Sequence, residues 1–160
     1  MGRMYPAAHR RFMELPLQDR LAVFSDILSF FENIAAQKYV AIDFYDGSIL
    51  YDFESGKTTI CDIDLFRKQP CVNDMGHMWG SSRFQSPEEH QLGAVIDEVT
   101  NVYTLGATAF ALFGGYNRTE DAWELSDKLF AVAAKAVRED CMQRQQSIKQ
   151  FIKEWEAALQ

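Results

Sequence analysis

Between Glu98 and Phe113 the chain sets Val102, Leu105, Ala109 and Leu112 on one helical face and Tyr103, Ala107 and Phe110 on another. A helix that is apolar on more than one side has to be packed on several sides. This segment therefore predicts a central helix with the rest of the domain built around it. A length of 160 residues with 48% hydrophobic content suits one domain with a real core, spanning 1–160.

Other segments predict what surrounds that helix. Leu17, Leu21, Phe24, Leu28, Phe31 and Ala35 recur at spacings of three and four, giving a long amphipathic helix from Leu17 to about Gln37. Tyr39–Phe44 then reads as a buried strand. Ile49–Phe53 and Lys57–Cys61 flank Glu54-Ser55-Gly56 and read as a hairpin, Gly56 supplying the positive φ of a tight turn. From Leu65 to Gln85 periodicity disappears, predicting a long ordered loop, and such loops are usually functional. A short helix near Pro87–Leu92 and amphipathic helices at Asp121–Arg138 and Gln145–Leu159 complete the pattern. Residues 1–16 read as an extended or partly ordered lead-in. The fold class predicted is mainly α, of the α+β kind: a helical bundle carrying a small β-hairpin.

Several function classes are excluded. The balance of 16 basic against 23 acidic residues, a net charge of -7, leaves no basic surface for a nucleic-acid partner. No stretch reaches the roughly 18 apolar residues that a membrane span requires. Met1–Arg11 has no apolar region of a secretory signal. Cys61, Cys71 and Cys141, without a C-x-x-C pair, suggest reduced thiols in a cytoplasmic protein. His9, His77 and His90 are scattered without ligand spacing, which argues against a histidine metal centre.

Four segments carry chemistry, and their order resembles the C-terminal lobe of protein kinases from Leu17 onward. Ala41-Ile42-Asp43-Phe44-Tyr45-Asp46-Gly47-Ser48 stands where kinases carry H-R-D-L-x-x-x-N, and Ile60-Cys61-Asp62-Ile63-Asp64-Leu65 stands where they place D-F-G. Ser86-Pro87-Glu88 takes the place of A-P-E. Asp97-Glu98-Val99-Thr100-Asn101-Val102-Tyr103-Thr104-Leu105-Gly106 resembles the D-x-x-S-D-x-Y-S-L-G start of the central helix in bacterial Ser/Thr kinases.

The resemblance implies roles for particular residues. Asp43 is the expected base for the substrate hydroxyl. Asp62 matches the magnesium-binding Asp, with Asp64 as a second carboxylate in place of the family's Gly. Ser48 replaces the metal-holding Asn, and Asp46 is expected to assist it at the nucleotide and metal site. Glu88 is expected to pair with a buried arginine late in the lobe, for which Arg144 is the candidate. Asn101 replaces an Asp that braces the catalytic loop, which predicts a weaker brace for lack of charge. Ile42 replaces the arginine that receives an activation-loop phosphate, so no activation by loop phosphorylation is expected.

Met75, His77, Met78 and Trp79 either cover a substrate cleft or pack the loop. Nothing before Leu17 resembles the Gly-rich loop or the V-A-I-K lysine. The resemblance thus implies ATP and magnesium as cofactors and a protein or small-molecule hydroxyl as substrate. It also implies a missing N-lobe, or self-association through the apolar surface around Leu17–Ala36 and the hairpin. Two rival readings stand beside the Ser/Thr phosphotransferase. One is a pseudokinase or interaction module; the other is an aminoglycoside-type small-molecule kinase.

Overall fold

The computed structural model describes residues 6–160. Its first element is α1 (Pro6–Met13), a helix within the stretch expected to be an extended or partly ordered lead-in, of which residues 1–5 lie outside the described part. An isolated eight-residue helix is marginal in water, so tertiary contact has to hold this one. Phe12 is buried with its ring edge-on to Tyr51 at 5.6 Å, and the Arg11 guanidinium lies 4.0 Å from the Phe53 ring centre.

Helix α2 (Leu17–Ala36) follows, and then β1 (Tyr39–Val40). The apolar stripe of α2 is Val23, Phe24, Ile27, Leu28, Phe31 and Ile34, and all six are buried by the chain itself. This stripe is therefore not part of the open apolar surface expected around Leu17–Ala36 and the hairpin. What stays open is Leu17 together with Leu50, Ile63 and Leu65 around the hairpin.

The buried strand expected over Tyr39–Phe44 is ladder-paired only at Tyr39–Val40. Ala41, Ile42 and Phe44 are buried, but the backbone turns at Asp43, where φ is 65°. A short 3₁₀ turn (Asp46–Ser48) leads into the hairpin β2 (Ile49–Tyr51) and β3 (Thr58–Ile60), registered as Ile49↔Ile60 and Tyr51↔Thr58. Gly56 holds φ +70° in its turn, a conformation that costs glycine nothing.

The long loop contains strands that periodicity could not reveal. β4 (Arg67–Lys68) pairs antiparallel with β1, and β5 (Cys71–Val72) pairs with β6 (Val95–Ile96). Two-residue strands carry no alternation to read. Their pairing is decided by partners distant in sequence. The short helix near Pro87 is a 3₁₀ turn, Pro87–His90, which gives way to β6. Within the loop Met78 is buried against Val40, Ile42 and Ile96, whereas Trp79 is 61% exposed.

Helix α3 (Glu98–Phe113) opens on an Asp97 cap that accepts from Val99 N, and every residue from Thr100 to Phe113 is buried. It packs against β1, α2, α4 (Asp127–Ala136) and α5 (Ile148–Leu159). Aromatic rings fill the joint: Phe24 meets Trp155 at 4.7 Å, and Phe110 meets Trp123 at 5.2 Å.

The helix expected over Asp121–Arg138 is broken. After a 3₁₀ turn at Glu120–Ala122, Trp123 turns into the core and its indole N–H donates to Ser126 O. Ser126 then caps α4 by accepting from Leu129 N. Burying an indole that satisfies its own N–H outweighs helical continuity here. α5 likewise begins three residues later than periodicity predicts, because Gln145 is buried and donates to Val132 O and Glu154. Among the described residues no helix is long and apolar enough to cross a membrane.

Candidate functional site

The site is assembled by the hairpin. Beyond the β2–β3 ladder, Cys61 N donates to Ser48 O at 2.9 Å, and this bond carries Asp62 alongside the 43–48 turn. Asp43 and Asp62 both adopt positive φ, 65° and 56°. Such backbone is uncommon for non-glycine residues, although Asp is among those that tolerate it. Two such residues from separate segments aim carboxylates into one region.

Electrostatics records that proximity. Partial burial and then the charge of Asp62 hold the Asp43 carboxyl above the usual carboxylate range. Tyr45 is raised by burial and by Asp43, Asp62 and Asp46, so its phenol keeps its proton. The Cys61 thiol is raised by burial and Asp62. A concentration of negative charge on hard oxygens, part of it exposed, is a cation-binding environment.

The donor set fits one magnesium ion in part. Asp62 is exposed, and a single carboxylate with phosphate oxygens and water is an ordinary magnesium shell. Asp64 is also exposed, two residues further along the turn. Ser48 does not fit the metal role expected of it: it is fully buried, and its hydroxyl accepts from Tyr45 N at 3.4 Å, closing the turn on itself. Asp46 is likewise committed elsewhere. It pairs with Arg83 at 3.3 Å and accepts a short hydrogen bond from the Tyr116 hydroxyl. Among the described residues no group of three or more His, Cys, Asp or Glu could hold a metal ion by itself.

Asn101, fully buried on α3, braces the strand that leads into Asp43. Its carbonyl accepts from Ala41 N at 2.9 Å while its amide donates to Tyr39 O at 3.0 Å. An aspartate would make the first bond and set a carboxylate against the second carbonyl. The expected weaker brace is therefore a two-handed one, since an ionised carboxylate only accepts.

Glu88 and Arg144 meet in a fork, with bonds of 2.7 and 2.9 Å. The Arg144 guanidinium also donates to the carbonyls of Arg138, Val99 and Glu139, and Thr100 donates its hydroxyl to Glu88. Five guanidinium bonds and complete burial make this a structural knot below the site.

Sequence reading overlooked Tyr45, Gln85 and Tyr116. A Cβ at Gly47 would collide with the Tyr45 ring, so the glycine is what lets that ring fold back over the turn. Gln85 is buried and donates to Met78 O and Trp79 O, fixing the loop end. Gly47 beside Tyr45 was a local signal; Tyr116, 70 positions from Asp46, offered none. His77 and His90, read as scattered, have their rings 4.4 Å apart.

No family model and no curated protein matches this chain. Among solved structures it is similar to the kinase PK-1 of Cydia pomonella granulovirus, with a TM-score of 0.67 and 15% identity, over 86% of this chain and 57% of the viral one. At that identity the likeness is one of fold. The chain has an α+β, kinase-like C-lobe architecture, and it spans little more than half the length of the viral kinase.

Proposed function

We propose that this chain carries the acceptor and metal-binding side of a protein-kinase-like phosphotransfer site, with a Ser or Thr hydroxyl as acceptor. The observation that supports it most is the convergence of Asp43 and Asp62, each at positive φ, from two separate segments. Asp43 accepts the proton of the attacking hydroxyl. Its raised pKa suits a base that must hold that proton briefly. Asp62, with Asp64 nearby, supplies the carboxylate oxygens for magnesium. Magnesium held by these carboxylates would supply positive charge against the phosphate oxygens. Tyr45 keeps its phenolic proton and offers a neutral donor at the rim of the turn.

In this reading a nucleotide-clamping lobe completes the ATP site against the hairpin face, where Leu50 and Ile63 are about half exposed, at 55% and 52%. A second copy of the chain is the other occupant of that face. The neighbour is viral, and the bacterial Ser/Thr subtype is supported by the Asp97–Gly106 run alone.

Calorimetric titration with ATP and magnesium tests this reading. Magnesium-dependent binding is expected, at least about tenfold weaker in Asp62→Ala, the size of one lost charge-assisted contact. Asp43→Asn is expected to keep binding and to lose transfer by about 10²–10⁴-fold in the completed protein. Binding that ignores both magnesium and the Asp62 substitution would sink the proposal. Light scattering that stays monomeric at all concentrations would count against the self-association arm. One observation favours a second reading, an interaction module without catalysis: Ser48 is buried and Asp46 engaged, which removes the two assistants of the metal site. Absence of nucleotide binding even in a lobe-completed protein would establish that alternative.

A further inference from the structure

Asp46, Arg83 and Tyr116 come from three segments and meet beside the turn that carries Asp43. Arg83 Nη2 lies 3.3 Å from Asp46 Oδ1, and its guanidinium carbon stands 4.3 Å from the centre of the Tyr116 ring. The Tyr116 hydroxyl donates to the other oxygen of Asp46. Arg83 Nη1 is enclosed with no hydrogen-bond partner among the described residues, so one side of the guanidinium is desolvated against the ring. Arg118 bonds the Arg83 carbonyl at 3.0 Å and the Tyr103 hydroxyl at 2.8 Å, tying the same backbone to α3. On the other flank the His9 ring of α1 lies tilted against Tyr116, with ring centres 4.5 Å apart.

We infer that Asp46 is a positioning residue, the fixed anion of a clamp that holds the 80–86 segment against the Asp43 turn through Arg83 and Tyr116. The cation sits on the segment and the anion on the turn. The segment is thus held by carboxylate chemistry built into the chain. Each oxygen of this carboxylate already accepts one bond, and the two bonds fix its orientation toward Arg83 and Tyr116, which sets this role apart from the one its sequence position implies. The clamp rests on the phosphotransfer reading for its purpose only; its existence rests on geometry.

Hydrogen exchange on the full chain, without nucleotide, tests it in wild type, Asp46→Asn, Arg83→Met, the double variant and Arg83→Lys. Each single neutralisation is expected to speed exchange of the 80–86 amides by about threefold or more, with the α3 amides unchanged, because the pair is partly solvated. The double variant is expected to exchange no faster than either single one, since both remove the same contact. Arg83→Lys is expected to recover part of the protection. Additive effects, or 80–86 amides indifferent to both substitutions, would overturn the clamp. So would a magnesium-induced slowing around residue 46 that Asp46→Asn abolishes and Arg83→Met leaves intact, which would make Asp46 a metal ligand. Failure of the nucleotide titration touches none of these readouts and would refute only the phosphotransfer reading.

Discussion

Arg144→Met is expected to lower folding stability by about 3–5 kcal/mol, the range for removing one partner of a buried ion pair. The side chain of Arg144 is 0% exposed and that of Glu88 14%, so water cannot replace what is lost. Truncation leaves the Glu88 carboxylate with only the Thr100 hydroxyl and takes the guanidinium from three carbonyls, those of Arg138, Val99 and Glu139. Glu88→Gln should cost less, because a carboxamide oxygen still accepts from Arg144 and Thr100. In a chain of this size the arginine variant should melt about 10 °C or more below wild type. Scanning calorimetry of both variants checks the order, and equal losses would contradict the knot described here. Burial by itself would raise the Glu88 carboxyl, but the bonds and charge of Arg144 outweigh it, and the group lies below its usual range. Its contribution is therefore present above the ordinary carboxylate pKa and is lost as pH falls below it.

Its neighbour behaves in the opposite sense. Glu89 is 3% exposed, and its carboxyl is pushed up to about 7, first by burial and further by Glu88, against the bonds it accepts from the Ser86 N–H and hydroxyl. The folded state then holds a proton that the unfolded state has already released. Stability from this group is complete below about pH 4.5 and is lost as pH rises through about 7. The difference amounts to on the order of 3 kcal/mol. Glu89→Gln should remove that decline, leaving the variant more stable than wild type at pH 8 and nearly equal to it at pH 4. His90, lowered by burial and by His77, acts in the opposite direction over part of that window. It is common to both proteins and cancels in the difference. Denaturant melts at pH 4, 6 and 8 provide the comparison, and parallel profiles for the two proteins would show that Glu89 does not titrate in this way.

The two carboxylates illustrate how far reading by pattern reaches. Glu88 sits in Ser86-Pro87-Glu88, a motif with a family precedent. Glu89 belongs to no motif, and its pKa is raised by the burial of the Ser86–Glu89 turn and then by its neighbour Glu88. The same division runs through the candidate site. Asp43 and Asp62 stand at motif positions, and both can be named from the chain. That Asp46 is taken up by Arg83 and Tyr116 depends on contacts 37 and 70 positions away.

What the sequence by itself determined is what local physics encodes over a few turns of chain. The apolar faces of Glu98–Phe113 demanded a central helix, and Asp97 marked its start. The spacing of α2 announced one buried stripe, and Gly56 announced the hairpin turn. Tertiary structure alone decided the rest. α1 is held by Tyr51 and Phe53, β4 and β5 pair with β1 and β6, and α4 starts late because Trp123 turns inward. Helical periodicity is written in neighbouring residues, whereas two-residue strands, broken helices and carboxylate partners follow from which distant groups share one buried space.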